Sequence, residues 1–387
     1  MTEALEVSDR IAAGEDERTE FKLLLDNKEK IAADIVAFAN AQGGWMLFGV
    51  DDSGSVQGVA DPTALERDLT NLCRQNCIPA LRPSIEIIDI AGKPVVLMTI
   101  VGPDKPYKSN RGIYYLRVGT TRREATQAEL ARIFQLRGKV HYDETPVVGA
   151  TLDDLNLVVF SRYYRDQFEE PLDEADIALP VLLQNMRLAI ELSGRLHLTL
   201  AGLLLFGEDP QAHLPYTRLS AVRFDGVEMS ERMLDRRELR GTLPEIIDGT
   251  EAFLRNNVRI TAEITGFRRQ DRPQYSHFAL REAVVNAVAH RDYSITGTQI
   301  RLFIFDDRVE VYSPGQLPNI VTLDNVRYGA HYERNSRLCT VLTHLGFMSD
   351  IGTGIPRMIR LTKRLSGREP EFELRGEEFI VRIHSAF

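Results

Sequence analysis

The chain has 387 residues, 43% of them hydrophobic and 27% charged, with a formal net charge of −9. This is globular composition, enough for two or three domains whose core needs no disulfide or metal staple. The acidic balance excludes bulk attraction to nucleic acid or anionic membrane as the main driving force, so phosphate can be bound only by a local basic face. The longest strongly apolar stretch, residues 198–206, is too short to span a bilayer. The acidic start Met-Thr-Glu-Ala-Leu-Glu lacks a signal-peptide pattern, and three cysteines fit a reducing compartment, so a cytoplasmic location is expected.

Residues 1–7 read as a flexible start, followed by a helical turn capped by Ser8 and ended by Gly14. Residues 19–25 alternate, with Glu20 and Lys22 on one face and Phe21 and Leu23 on the other, which predicts a strand. Residues 28–40 predict a helix packed on one side through Ile31, Ile35, Val36 and Phe38. A buried strand at 45–50 and a turn at 51–54 follow. A helix at 63–75, strands at 84–90 and 94–101, a hairpin within 105–121 whose second strand is 114–118, and a helix at 127–136 complete one α/β domain, residues 8–140. Cys73 and Cys77 share a helical face, but no further soft ligand lies near in sequence, so they read as buried apolar residues rather than zinc ligands.

Residues 141–155 show no period and read as a linker, opening a helical connector over 141–208 with helices at 155–169 and 178–193. The last region, 209–387, carries a strand at 219–224, a helix at 243–256 and an amphipathic helix at 278–290. A hairpin at 300–305 and 308–312, helices at 338–346 and 356–365, and strands at 371–373 and 379–383 follow. The fold class is α/β (α+β) throughout.

Two clusters carry chemistry. In the first, Glu20 and Lys22 share a strand face, Asp51 and Asp52 stand at the end of the next strand, and Glu15 lies just before the first. Three hard oxygen ligands meeting there would take Mg²⁺ or Mn²⁺ and stabilise charge on a phosphodiester, with Lys22 neutralising the same charge. The runs Gly14-Glu15…Glu20-Phe21-Lys22, Ala37-Phe38-Ala39-Asn40-Ala41-Gln42-Gly43-Gly44, Phe48-Gly49-Val50-Asp51-Asp52-Ser53-Gly54 and Tyr115-Leu116-Arg117-Val118-Gly119-Thr120 occur in order. Together they closely resemble the Schlafen-type AlbA domain over about residues 12–136. The resemblance implies a metal-dependent endoribonuclease site with Glu15, Glu20 and Asp52 as its acids. Bacterial relatives are described instead as DNA-binding transcriptional regulators.

Lys105, Lys108, Arg111, Arg117, Arg122 and Arg123 fall within residues 105–123, which contain no acid, with Tyr107, Tyr114 and Tyr115 interleaved. Cations of this kind position a nucleic-acid backbone and aromatics stack on bases, so RNA, including tRNA, or DNA is the expected partner. Vertebrate Schlafens join two such lobes, so the resemblance implies a homodimer or higher homo-oligomer.

In the second cluster Glu282 and Asn286 lie four apart on one helix, with His290 a further four on. A carboxylate can activate water and an Asn carbonyl can ligate Mg²⁺. Gly352 and Gly354 open a later helix, a cradle for phosphate. The runs Leu280–Tyr293, Ser313–Pro318, Arg334-Asn335, Gly352–Ile359 and Leu200–Gly207 resemble a divergent, RecG-related branch of the GHKL ATPases. That resemblance implies Glu282 as general base, Asn286 as Mg²⁺ ligand and ATP as cofactor. Two departures stand out: the usual Asp-x-Gly-x-Gly adenine box is replaced around Ser313-Pro314-Gly315, and the winged helix of many relatives is not found before Phe387. Helicase motifs are absent, so no helicase activity is expected. The expected function is an ATP-modulated, metal-dependent nuclease for RNA or single strands, a defence or stress effector. The alternative is a non-enzymatic, ATP-binding transcriptional regulator.

Overall fold

The computed structural model describes residues 2–136, 141–229, 232–265, 268–318, 321–348 and 352–387. Contacts divide the chain into two units, Met1–Val140 and His141–Phe387. The expected end of the first domain, at residue 140, lies outside the described residues.

The amino-terminal unit is built on a four-stranded sheet in the order Thr19–Lys22, Gly44–Phe48, Lys93–Ile100, Ser84–Ile90, of which only the first pair is parallel. Strand alternation sends Met46, Phe48, Val96, Met98 and Ile100 to one face, against the helices Lys28–Asn40 and Pro62–Asn76. Phe21, Leu47, Val95 and Leu97 go to the other, where Val7 and Ile11 of the helix Thr2–Ala13 cover them. That helix corrects the flexible start: Val7 and Ile11, four apart, gain a core face that propensity alone does not reveal. The helix Lys28–Asn40 is also more deeply placed than its one-sided pattern implies, since every residue from Ile31 to Asn40 is buried. Its polar members therefore need partners. Asn40 donates to the carbonyls of Tyr107 (2.7 Å) and Tyr115 (2.9 Å) and accepts from the Tyr107 amide (2.6 Å), pinning the segment that follows the sheet.

The basic stretch folds differently from expectation. Tyr115–Val118 is the first strand of a hairpin with Thr121–Glu124, and Lys108–Ser109 pairs with Cys77–Ile78 instead. Cys73 and Cys77 are buried, and the helix that carries Cys73 ends at Asn76.

The carboxyl-terminal unit holds a six-stranded sheet ordered Met233–Leu239, Leu219–Phe224, Ile300–Ile304, Arg308–Pro314, Glu378–His384, Glu371–Arg375. Ala221, Leu302, Ile304, Val309, Val311, Val381 and Ile383 join a core with the helices Leu243–Asn257 and His277–Ala289. Residues 141–155 are no loose linker. Val147, Ala150 and Leu155 enter this same core, and Asp143 accepts from the amides of Arg337 (2.8 Å) and Leu338 (3.1 Å) at the start of the helix Ser336–His344. Two short 3₁₀ turns, too brief to show a period, explain why the sequence looked irregular. The helix expected over 178–193 stops at Asn185, and Ala189–Leu192 pairs with Arg195–Leu198. Met233–Leu239, not expected as a strand, is the sheet's edge strand, which explains its charge.

Asn40→Ala leaves three buried main-chain groups without their partners and is expected to destabilise the amino-terminal unit by about 2–4 kcal/mol. The chain's single tryptophan, Trp45, lies in that unit's sheet, so its fluorescence in urea reports the unfolding midpoint. A loss below about 1 kcal/mol would show that Asn40 does not pin this segment.

Candidate functional site

A cavity of about 410 Å³ in the carboxyl-terminal unit is lined by Glu282, Asn286, His290, Gly315, Arg334, His331, Gly352 and Gly354, among others. The structure thus brings all four expected nucleotide-site residues and Glu282 to one space. The helix His277–Ala289, capped at its start by Ser276, supplies Glu282 and Asn286 from a single face, and His290 caps its end through its amide on the Asn286 carbonyl. Asn286 donates its amide to Glu282 Oε1 at 2.9 Å, so its own carbonyl oxygen is left for another partner. Gly354 begins the helix Gly354–Ser366 against that carboxylate, and a Cβ there would overlap Glu282. Gly352 sits at φ +63° beside His331. Both glycines are required by close approach or left-handed backbone.

Arg291, just after the helix, is structural. Arg291 is buried and donates to the carbonyls of Asp292 (3.0 Å), Ile295 (2.8 Å) and Thr298 (2.7 Å), between the rings of Tyr216 and Tyr293. Arg334 and Asn335, also buried, hold the helix end: Arg334 donates to the His290 carbonyl (2.9 Å) and Asn335 to those of Ala289 (2.9 Å) and Arg291 (2.8 Å).

In the amino-terminal unit the acids are engaged elsewhere. Glu15 Oε1 accepts from the Phe21 amide at 2.7 Å. Glu20 is held by Lys22 on one oxygen and by Arg117 at 2.6 Å on the other. Asp52 is exposed in the turn, while its neighbour Asp51 takes the capping role: the Ser53 hydroxyl, the Ser55 amide and Gln57 hold its carboxyl down to about 2. No group of three His, Cys, Asp or Glu side chains among the described residues is placed to hold a metal ion. The donor set of Glu15, Glu20 and Asp52 therefore does not fit the expected Mg²⁺ or Mn²⁺ as arranged.

The cations of residues 105–123 acquire acids from outside the stretch. Arg117 and Arg122 are cross-strand partners and so point the same way, onto the helix Lys28–Asn40. Arg117, its side chain 1% exposed, pairs with Glu20 and lies 4.4 Å from the Phe38 ring centre. Arg122 pairs with Asp34, which sequence reading missed although a lone acid inside an apolar helical run calls for a cation. Lys105 donates to the Ala41 carbonyl, and Tyr107 is buried, so neither it nor Arg117 serves a free phosphate face. Arg111 with Glu29 and Arg123 with Glu129 form outward pairs, and Lys108 is half-buried.

Burial pushes the Asp34 carboxyl up, and Arg122 opposes that rise. An acid raised in the folded state favours folding below its unfolded value and loses that contribution as pH climbs through the folded one. Arg122→Ala removes the opposing cation, so its cost is expected to be about 1–3 kcal/mol near pH 7 and smaller near pH 4, about the unfolded carboxylate value. Urea midpoints by Trp45 fluorescence at both pH values check this; equal losses would show that Asp34 does not depend on Arg122.

Residues 15–126 match the family described as Schlafen, AlbA_2, and residues 297–383 the family described as "Putative ATP-dependent DNA helicase recG C-terminal". Residues 131–220 match a domain of unknown function, DUF8451. No curated protein matches the chain. Among solved structures, the DIP2311 protein from Corynebacterium diphtheriae is similar in fold, with a TM-score of 0.50 and 22% identity over 99% of this chain and 80% of that one. The N-terminal domain of "Putative ATP-dependent DNA Helicase RecG-related Protein" from Nitrosomonas europaea shares 28% identity over 32% of this chain and 93% of that one, with a TM-score of 0.26. The chain carries a Schlafen AlbA_2 domain followed by an ATPase-like C-terminal domain of the RecG-related kind.

Proposed function

We propose that the protein binds nucleic acid through its amino-terminal domain and ATP with Mg²⁺ in the carboxyl-terminal cavity, as a nucleotide-responsive binding protein rather than a nuclease. The observation that carries the nucleotide reading is the Glu282–Asn286 pair facing the Gly352 and Gly354 backbone across one cavity. The space of about 410 Å³ falls within the usual range for small-molecule sites. The residues fit the cofactor: the Asn286 oxygen is available to a hard cation, and the glycines let main chain approach phosphate. Mg²⁺, when bound, neutralises triphosphate charge. Glu282 is placed to hold a water and take its proton.

Nucleic-acid contact falls to the outward cations. The Arg111–Glu29 pair has side chains 65% and 59% exposed, and exposed pairs are worth little, so phosphate can displace the glutamate. Arg123 is also outward, its side chain 47% exposed, although its partner Glu129 is half-buried and accepts from Thr126 as well. The cationic partners that hold Glu20, the central acid of the expected nuclease site, support a binding rather than a hydrolytic role for the amino-terminal domain. No described helix is long and apolar enough to cross a membrane.

Arg111→Ala with Arg123→Ala is expected to weaken binding of a single-stranded RNA and to reduce the slope of log affinity against log salt by about 1–2. Fluorescence anisotropy across a salt series measures both, and an unchanged slope removes these two cations from the interface. Asn286→Ala should abolish the Mg²⁺-dependent heat of ATP binding in calorimetry; heat equal to that of the parent protein would overturn the nucleotide site. Incubation of tRNA, single strands and duplex with Mn²⁺ should give no cleavage. Cleavage that disappears in Glu20→Gln, with its Trp45 unfolding midpoint unchanged, would restore the hydrolytic reading.

A further inference from the structure

Among the described residues, three arginines line the nucleotide cavity: Arg281, Arg334 and Arg357. Two of them are committed to main chain. Arg281 donates to the carbonyls of Gly346 (2.6 Å) and Phe347 (2.9 Å), and Arg334 to those of His290 and Gln316. Arg357 is different. It is exposed at the cavity wall, and its guanidinium has no carboxylate or carbonyl partner among the described residues. Its neighbour is a ring, with Cζ 4.2 Å from the centre of Phe278. A guanidinium held over a ring keeps its N–H donors for another partner.

Helix geometry places that cation along the site. Phe278 and Glu282 are four apart on the helix His277–Ala289, about 6 Å along its axis. Gly354 and Arg357 are three apart on the helix Gly354–Ser366, so they share a face. Gly354 meets Glu282 and Arg357 meets Phe278, so the two helices touch at two points one turn apart. The row is therefore Arg357 on Phe278, then Glu282, then Asn286, with Arg357 on the side of Glu282 away from Asn286. The phosphate beside a water on Glu282 is the terminal one, the position open to in-line approach. A triphosphate carries more negative charge than one Mg²⁺ neutralises, and a forked cation suits the remainder.

We propose that Arg357, held over Phe278, binds the terminal phosphate and makes the cavity distinguish a nucleoside triphosphate from a diphosphate. The inference rests on the nucleotide reading above and adds to it the residue that senses the last phosphate.

Calorimetry on the full chain with Mg²⁺ and ATP or ADP tests it. The parent protein should prefer ATP over ADP by about tenfold or more, the worth of charged hydrogen bonds to one phosphate. Arg357→Ala should lower the ATP affinity about tenfold or more and reduce the preference to about threefold or less, with ADP affinity unchanged. The retained ADP affinity also shows that the variant is folded. Arg357→Lys keeps the charge without the fork and should retain part of the preference, which a merely structural role would not produce, so the test stands even if the alanine variant fails to fold. Equal losses for ATP and ADP in Arg357→Ala, a full preference that survives in it, or no preference in a parent protein that binds both nucleotides overturns the inference and leaves the nucleotide site intact. A parent protein that binds neither nucleotide removes the nucleotide reading itself.

Discussion

A buried charge must have a partner, and in the amino-terminal domain that requirement organises everything around the helix Lys28–Asn40. The helix is sunk on all sides from Ile31 onward, yet it carries Asp34 and Asn40. Asp34 is met by Arg122 and Asn40 by the backbone of Tyr107 and Tyr115. These ties draw the hairpin Tyr115–Glu124 onto the helix and bring Arg117 onto Glu20 in the same movement. Cutting one partner of such a pair costs more than the pair contributes, because the charge that remains has lost water as well.

The same network decides what the domain can offer a ligand. Cations that neutralise buried acids are not available to phosphate, and a carboxylate held between Lys22 and Arg117 is a poor ligand for a divalent ion. The cations of the stretch that point outward are Arg111, whose partner Glu29 is exposed, and Arg123, whose partner Glu129 is half-buried. Their ion pairs are weak enough to exchange, which is the property a salt-sensitive interface needs.

The carboxyl-terminal domain meets a different constraint, steric rather than electrostatic. One helix face carries Glu282 and Asn286 with His290 at its end, Gly315 opposite admits no side chain, and a Cβ at Gly354 would displace the Glu282 carboxylate. Buried Arg291, Arg334 and Asn335 clamp the helix end through main-chain carbonyls, so the face cannot rotate without breaking several hydrogen bonds. A site whose support is this rigid keeps its polar groups in place before a ligand arrives.

Much of this was legible in the sequence where the information is local. The helices Lys28–Asn40 and Gln127–Leu136 and the strands Ser84–Ile90 and Leu219–Phe224 have the limits their periodicity gives, and the four-residue spacing of Glu282, Asn286 and His290 already placed them on one face. The short strands of residues 189–198, the 3₁₀ turns after His141 and the amino-terminal helix were not legible, because each is stabilised by distant packing rather than by its own pattern. By itself the sequence determined the two α/β domains, the spacing of Glu282, Asn286 and His290 on one helix face and the run of cations. Only the tertiary structure decided which of those cations are free. The acids that neutralise them, Glu20, Glu29, Asp34 and Glu129, lie outside residues 105–123, and charge pairing depends on distance in space rather than along the chain.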